Sequence, residues 1–297
     1  MRFSIVIPSY NYGEFLPRAL DSVLSQEGDD YEVILVDDGS TDDTQERIQA
    51  YRKQLYYFRQ ANQGTAAARN RGVDMARGDY LIFLDADDCL LPGALGYFRQ
   101  VLQAHVGVDV LIGGYVSTNA RGRQRRHPGP RLDEDRLANF IAYIEGKLRI
   151  PTGAALWRRQ VFHRLHFPEA LQNYEDTVVE AQALACFYCI GFPNPVVEVH
   201  DHPGRKRDNI SGIRESGDQV VTQVFDPVLL PPRFMGRQKQ FESNHLLNLA
   251  RAHYYAKDYA QTIALYHRAL AARPINILKW PHLRKYLRAL FWQRTPG

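Results

Sequence analysis

Three aspartates, Asp85, Asp87 and Asp88, stand directly behind an apolar run, Tyr80-Leu81-Ile82-Phe83-Leu84. Carboxylates this close repel one another, and the repulsion is costly unless a cation or hydrogen-bond donors offset it. A divalent metal holding a diphosphate meets that need, because hard cations take carboxylate and phosphate oxygens together. Asp88 alone would be enough to cap the helix expected beyond Leu90-Leu91-Pro92, so capping does not account for three acids.

Further residues with chemistry to offer are spread along the chain. Asp37-Asp38-Gly39-Ser40 follows a second apolar run, Tyr31 to Val36. An acid there can accept hydrogen bonds from a nucleotide base or ribose, or cap a turn. Asn62-x-Gly64-x4-Arg69-Asn70-x-Gly72 places Arg69 on a helix behind a flexible loop, within reach of a phosphate. Glu175-Asp176 opens an apolar helix, whose N-terminus stabilises a carboxylate. One of the pair is a candidate general base if the chain folds back to the aspartate cluster. His200-x-His202 precedes Arg205-Lys206-Arg207. An imidazole there would complete a metal shell and the basic run would cover a diphosphate; a solvated loop accounts for them equally well. Cys186-Phe-Tyr-Cys189 has redox or zinc spacing, yet no second pair exists and its flanks, Ala183 to Ile190, read as a buried helix.

The elements that must position these residues alternate. Phe3 to Pro8 reads as a strand, Glu14 to Gln26 as a helix, and Tyr31 to Val36 as a strand. A helix capped by Thr41 or Asp42 runs to about Lys53, followed by a strand from Leu55 to Arg59, a helix from Ala66 to Ala76 and the Tyr80 strand. An unbroken apolar run is a strand buried on both faces, as in parallel sheets. The pattern is that of a doubly wound α/β sheet, in which ligands bind at the carboxyl ends of the strands. Beyond it come a helix, Pro92 to Ala104; a strand, Val108 to Gly113; and an Arg-, Pro- and Gly-rich stretch, 119 to 136, expected to be a mobile surface loop. Leu137 to Lys147 reads as helix, Thr152 to Trp157 as strand, Gln160 to Leu165 as a helical turn, Thr177 to Cys189 as helix and Pro195 to His200 as strand.

The ordered motifs resemble the inverting GT-A fold glycosyltransferases of family 2. The resemblance spans roughly residues 2 to 210 and rests on Val6-Ile7-Pro8-Ser9-Tyr10-Asn11, Val36-Asp37-Asp38-Gly39-Ser40-Thr41-Asp42, Asn62-Gln63-Gly64, Ala68-Arg69-Asn70-Arg71-Gly72, Gly78-Asp79-Tyr80, Phe83-Leu84-Asp85-Ala86-Asp87-Asp88 and Glu175-Asp176. It implies that the Pro8, Ser9 and Tyr10 turn and Asp38 hold base and ribose, with Arg69 helping at the nucleotide. It implies that Asp85, Ala86 and Asp87 form the acid-x-acid element that binds the nucleotide sugar. Asp87 would hold Mn²⁺ or Mg²⁺, with Asp88 sharing that duty and His202, or else His200, as a late metal contact. Asp176 would be the catalytic base. The implied activity is transfer of a hexosyl group from a nucleotide sugar, by default a UDP-sugar, to a glycan or lipid-linked acceptor in bacterial surface polysaccharide or lipopolysaccharide synthesis.

Two other functions share some of these features. A sugar nucleotidyltransferase would want a Gly-rich basic loop after the first strand, where this chain reads Pro8-Ser9-Tyr10-Asn11-Tyr12-Gly13. A non-catalytic scaffold acting through C-terminal helices would not need the acid cluster.

The chain has 297 residues, 45% hydrophobic and 24% charged, enough for a sizeable core and ordinary for a globular protein. A net charge of +4 suits an anionic ligand or membrane face and is too weak alone to argue for nucleic acid. Three cysteines argue against a disulfide framework. Neither a secretory leader nor a spanning apolar stretch is visible, so a cytoplasmic location is expected. We expect a transferase domain over 1–214, with a nucleotide half (1–104) and an acceptor half (105–214). A helical region over 215–297 follows, with one tetratricopeptide-like hairpin over 241–274. Its tail mixes Trp280, Tyr286, Phe291 and Trp292 with Lys279, Arg284, Lys285 and Arg288, which suits either an anionic membrane surface or packing on the hairpin.

Overall fold

The computed structural model describes residues 2–202, 217 and 219–294. Nine strands among them, β1 (Phe3–Ser9), β2 (Tyr31–Asp37), β3 (Tyr56–Arg59), β4 (Tyr80–Phe83), β5 (Cys89–Leu90), β6 (Val110–Thr118), β7 (Gln124–His127), β8 (Ala155–Arg158) and β9 (Cys189–His200), form one sheet in the order β3-β2-β1-β4-β8-β6-β9-β5, with β7 paired to β6. The first four pair in parallel. β8 then enters antiparallel to β4 and to β6. The chain winds outward from β1 through β2 to β3 and then returns to the other side of β1 as β4. This reversal opens a crevice at the carboxyl ends of β1, β2 and β4.

Helices close both faces of the sheet, which is why its central strands are apolar throughout. On one face α1 (Leu16–Leu24) and α4 (Ala94–Ala104) bury Leu20, Val23, Leu95 and Phe98 against Phe3, Ile5, Val33 and Ile82. On the other, α3 (Thr65–Met75, after the four-residue α2, Thr44–Arg47) and α6 (Glu175–Cys186, after α5, Arg136–Ile144) meet Val6, Ile34, Leu81 and Phe83. α3 lies against β1 so closely that a Cβ on Gly72 would sit 2.2 Å from Val6 Cγ1, so only glycine fits there.

Three expectations are corrected. The helix after β2 does not run to Lys53: it stops at Arg47 and passes into a single 3₁₀ turn, Gln49–Tyr51. Beyond the capped Thr44 only Ile48 is buried there, too small an apolar face to carry a longer helix. The stretch 119–136 is not all loop, because β7 pairs antiparallel with β6 from Tyr115↔His127 to Thr118↔Gln124. Its Gln-Arg-Arg-His side chains show no apolar alternation, so backbone pairing and a Tyr115–His127 ring stack at 4.3 Å hold it. The α6 helix ends at Cys186, and Cys189 already belongs to β9, which starts well before Pro195. Pro193 and Pro195 fall where the β6–β9 register shifts, a place that tolerates a missing ladder donor. The run Arg205-Lys206-Arg207 and the 214/215 boundary lie outside the described residues.

The C-terminal helices are Gln219–Val224, Pro232–Met235, Gln238–Tyr255, Tyr259–Ala272 and Trp280–Arg294. Gln238–Tyr255 and Tyr259–Ala272 form the helical hairpin that the periodicity predicts, with the Asp258 side chain accepting from Gln261 N at the second N-terminus. A shared apolar cluster joins Phe140 and Ile144 of α5 and Val178 and Ala181 of α6 to Val220, Val224, Phe234 and Phe241. The last helix packs Leu283 and Tyr286 on the hairpin, with Tyr286 stacked on Tyr266 at 4.3 Å, and leaves Trp280, Leu287, Phe291 and Trp292 exposed.

Candidate active site

The rim of the crevice is built by side chains that bind the chain's own backbone. Asn11, just past β1, has φ of +56°, a left-handed conformation that asparagine tolerates. Its Oδ1 accepts from Thr41 N at 2.7 Å and from Asp42 N at 3.3 Å, tying the β1 turn to the β2 turn. Ser9 is buried and Tyr10 is exposed beside it. Asp37 accepts from Ser40 N at 2.8 Å and from the Tyr57 hydroxyl at 2.7 Å. Asp38 is buried too. It accepts from Gln60 Nε2 at 2.8 Å, Gln63 N at 3.0 Å and Gly64 N at 2.7 Å, so three of the about four acceptor positions of its carboxylate shape the Asn62–Gly64 loop.

At the end of β4 the carboxylate oxygens of Asp85, Asp87 and Asp88 lie within 4.8 Å of one another, with Asp87 and Asp88 buried. Nε2 of His202 is 2.9 Å from Asp87 Oδ2, and its ring stacks on Phe15 at 4.4 Å. His200 is placed differently: its backbone N donates to Asp88 Oδ1 at 3.0 Å, while its ring Nε2 lies 3.3 Å from Glu198 Oε1. Of the two histidines, the ring of His202 is the one brought to Asp87. Converging carboxylate oxygens with one imidazole fit Mn²⁺ or Mg²⁺ by the chemistry of the donor set.

Arg69 is buried on α3 between the aspartates and α6. Nη2 donates to Asp85 Oδ1 at 2.8 Å and Nη1 to Glu175 Oε1 at 3.2 Å, while Nε has no partner. Burial opposes its charge, and the carboxylates of Asp85, Glu175 and Asp176 outweigh that and push its pKa above the usual arginine value. Two strand-end and helix-start acids far apart in sequence are therefore fixed to one cation, which sets α6 relative to the β4 terminus.

Asp176 lies in the first turn of α6, half-buried, with Oδ1 accepting from Thr177 N at 2.6 Å. Tyr174, immediately before the helix, has φ of +69°, a costly conformation for a side chain of this size. One turn into the helix stands Glu180, a carboxyl that sequence reasoning passed over; a lone acid four residues after Asp176 in an apolar helix was the available signal. The Tyr143 hydroxyl donates to its Oε2 at 2.5 Å. Burial, and then the neighbouring Asp176 charge, push the Glu180 carboxyl well above the usual carboxylate range.

The cysteine pair takes no part in chemistry here. Burial pushes the Cys189 thiol up to about 12 and raises Cys186 as well, and their sulfurs approach the carbonyls of Ala183 and Leu229. Neither thiol is poised to be the thiolate that redox or zinc chemistry requires.

Comparison with known proteins gives this geometry a context. A family model described as "Glycosyl transferase family 2" matches residues 4–165. An uncharacterised glycosyltransferase of Nostoc sp. is 35% identical over 178 residues, covering 57% of this chain and 54% of the relative. A PGL/p-HBAD biosynthesis glycosyltransferase of Mycobacterium tuberculosis is 38% identical over 142 residues, covering 46% and 53%. The chain thus spans about half the length of these curated relatives. Among solved structures, S. aureus TarS 1–349 in complex with UDP-GlcNAc superposes with a TM-score of 0.67 at 18% identity over 99% of this chain and 92% of TarS 1–349. The mannosyltransferase PcManGT of Pyrobaculum calidifontis, in complex with GDP-Man and Mn²⁺, gives 0.56 at 18% identity over 98% and 84%. At that identity these two speak for the GT-A fold alone, in keeping with the mixed sheet and C-terminal helices among the described residues.

Proposed function

Because this chain belongs to glycosyl transferase family 2, we propose that it transfers a hexosyl group from a nucleotide-diphosphate sugar to an acceptor hydroxyl, inverting the anomeric centre. The observation that carries this reading is the Asp85, Asp87 and Asp88 cluster at the crevice, joined through Arg69 and Glu175 to the helix that bears Asp176. Asp87, Asp88 and His202 would hold Mn²⁺ or Mg²⁺. When bound, the ion neutralises charge developing on the departing diphosphate. Asp85 and Ala86 face the donor, Pro8, Ser9 and Tyr10 line the nucleotide end, and Asp38 shapes the loop that closes it. Arg69, with both terminal nitrogens engaged, acts by holding Asp85 and α6 in place. Asp176 accepts the proton of the acceptor hydroxyl as that oxygen attacks the anomeric carbon. A single in-line displacement inverts the centre, and no covalent sugar intermediate forms.

Uridine diphosphate is the proposed nucleotide, supported by the S. aureus protein of like fold that holds UDP-GlcNAc. The test is a thermal-shift screen of nucleotide sugars with Mn²⁺: one sugar nucleotide should raise Tm in a metal-dependent way and be slowly hydrolysed. A protein that responds to none, with or without Mn²⁺, is not such a transferase.

In this reading residues 1–104 are the nucleotide half, 105–214 the acceptor half, and 215–297 a helical region packed beside the latter. The acceptor is a glycan or lipid-linked glycan of bacterial surface polysaccharide or lipopolysaccharide synthesis, met at the cytoplasmic face. No helix among the described residues is long and apolar enough to cross a membrane. Contact with an anionic membrane is assigned to the exposed face of the last helix, where Trp280, Leu287 and Phe291 lie beside Arg284 and Arg288. Flotation with phosphatidylglycerol vesicles should carry the full chain upward and fail for Leu287→Glu/Phe291→Glu; equal flotation of both would remove this contact.

A further inference from the structure

A cavity of about 570 Å³ is lined in part by Asp176, a size suited to a small ligand. Its lining carries both signs of charge: Asp176 and Glu180 among the acids, Arg125 and Arg149 among the bases, together with His127.

The basic part of the lining is anchored at His127. Arg125 and His127 are two residues apart on β7 and therefore project from the same face of the strand. The pairing places Arg125 opposite Ser117 and His127 opposite Tyr115. His127 is fixed by stacking on Tyr115 at 4.3 Å and by the Ser117 hydroxyl, 3.0 Å from its Nε2. The His127 pKa is lowered, first by burial and then by the charges of Arg125 and Arg149. Neither arginine is in an ion pair among the described residues, whereas Arg69, Arg99 and Arg158 each have a carboxylate partner.

The remaining wall comes from the C-terminal region. Asn244, His245 and Asn248 of the Gln238–Tyr255 helix line the cavity. That helix is held in place by the Gln240–Glu145 hydrogen bond, by Asn244 Nδ2 donating to Ile144 O at 3.3 Å, and by an edge-on contact of His245 with Tyr174 at 5.0 Å.

We infer that this cavity selects an acceptor glycan bearing an anionic group, phosphate or carboxylate, with Arg125, His127 and Arg149 binding that group while the acceptor hydroxyl lies at Asp176. The Gln238–Tyr255 helix forms one side of the acceptor site and is not a remote docking appendage. Two guanidinium groups with no carboxylate partner among the described residues match the oxygens of phosphate or carboxylate in paired hydrogen bonds, which a neutral sugar cannot reproduce. The assignment rests on the transferase reading, since it takes Asp176 as the acceptor end.

The test uses the full chain with its nucleotide site filled by UDP and Mn²⁺. Binding of methyl glucoside, glucose 6-phosphate and glucuronate is followed by ligand-observed NMR. The charged sugars should bind about tenfold more tightly than the neutral one, the equivalent of one good charge-assisted contact. Arg125→Ala and Arg149→Ala, at exposed positions where melting curves should match the parent, should each erase the preference and leave UDP affinity unchanged. Asn248→Trp, also exposed, should block all three sugars by filling the helix side. A phosphate preference over carboxylate names phosphate as the source of charge, and the reverse names carboxylate. Equal binding of charged and neutral sugars, or a preference that survives both arginine variants, overturns the inference. Loss of UDP and Mn²⁺ binding by the parent chain, read in the same titration, would instead strike the transferase reading.

Discussion

Asp176→Asn is expected to bind nucleotide sugar as the parent does and to lose transfer, with kcat falling about 10²–10⁴-fold, the range a positioned general base supplies. Asparagine keeps the shape of the side chain, and its Oδ1 can still accept from Thr177 N, so the first turn of α6 should survive. Its neighbour cannot substitute, because Glu175 is buried and engaged by Arg69. Glu180 is buried one turn deeper, with Oε2 engaged by the Tyr143 hydroxyl, and is not presented to an acceptor. Calorimetry of UDP-sugar binding alongside single-turnover transfer separates the two effects. A kcat within a few-fold of the parent would move the base role off Asp176.

Asp87→Ala should abolish the metal-dependent part of nucleotide affinity. The loss should be at least about 10–100-fold, since even an outer partner of a metal ligand costs that much. The same change takes one of three crowded carboxylates out of a buried cluster, so like-charge repulsion falls in the metal-free protein. Melting curves should therefore show little loss of Tm without ligand, and loss of the Tm rise that Mn²⁺ and UDP give the parent. Unchanged nucleotide affinity in Mn²⁺ would take Asp87 out of the metal site. A collapse of Tm without ligand would make its bond to His202 a structural tie instead.

Much of the nucleotide half is local physics and was legible in the residues. Runs such as Phe3 to Ile7 and Leu81 to Leu84 are buried because helices cover both faces of a parallel sheet, and their composition records that burial directly. The acids at Asp37, Asp38 and Asp85 to Asp88 mark strand ends because a carboxylate cannot continue such a run. Elements held by partners distant in sequence left no such mark. β7 is polar along its length and exists through its register with β6, so Arg125 and His127 looked like loop residues. The start of β9 was hidden by Pro193 and Pro195, which only the bulge opposite Gly114 accommodates.

The sequence by itself determined the alternating α/β order, the aspartate cluster and the Glu175-Asp176 pair at a helix start, because period, burial and charge are properties of neighbouring residues. Tertiary structure alone decided which histidine ring meets Asp87, that Arg69 is used up between Asp85 and Glu175, and that a C-terminal helix walls the cavity beside Asp176. Those contacts join residues from 16 to 115 positions apart. Such a contact depends on how layers stack, and no short window of residues encodes that.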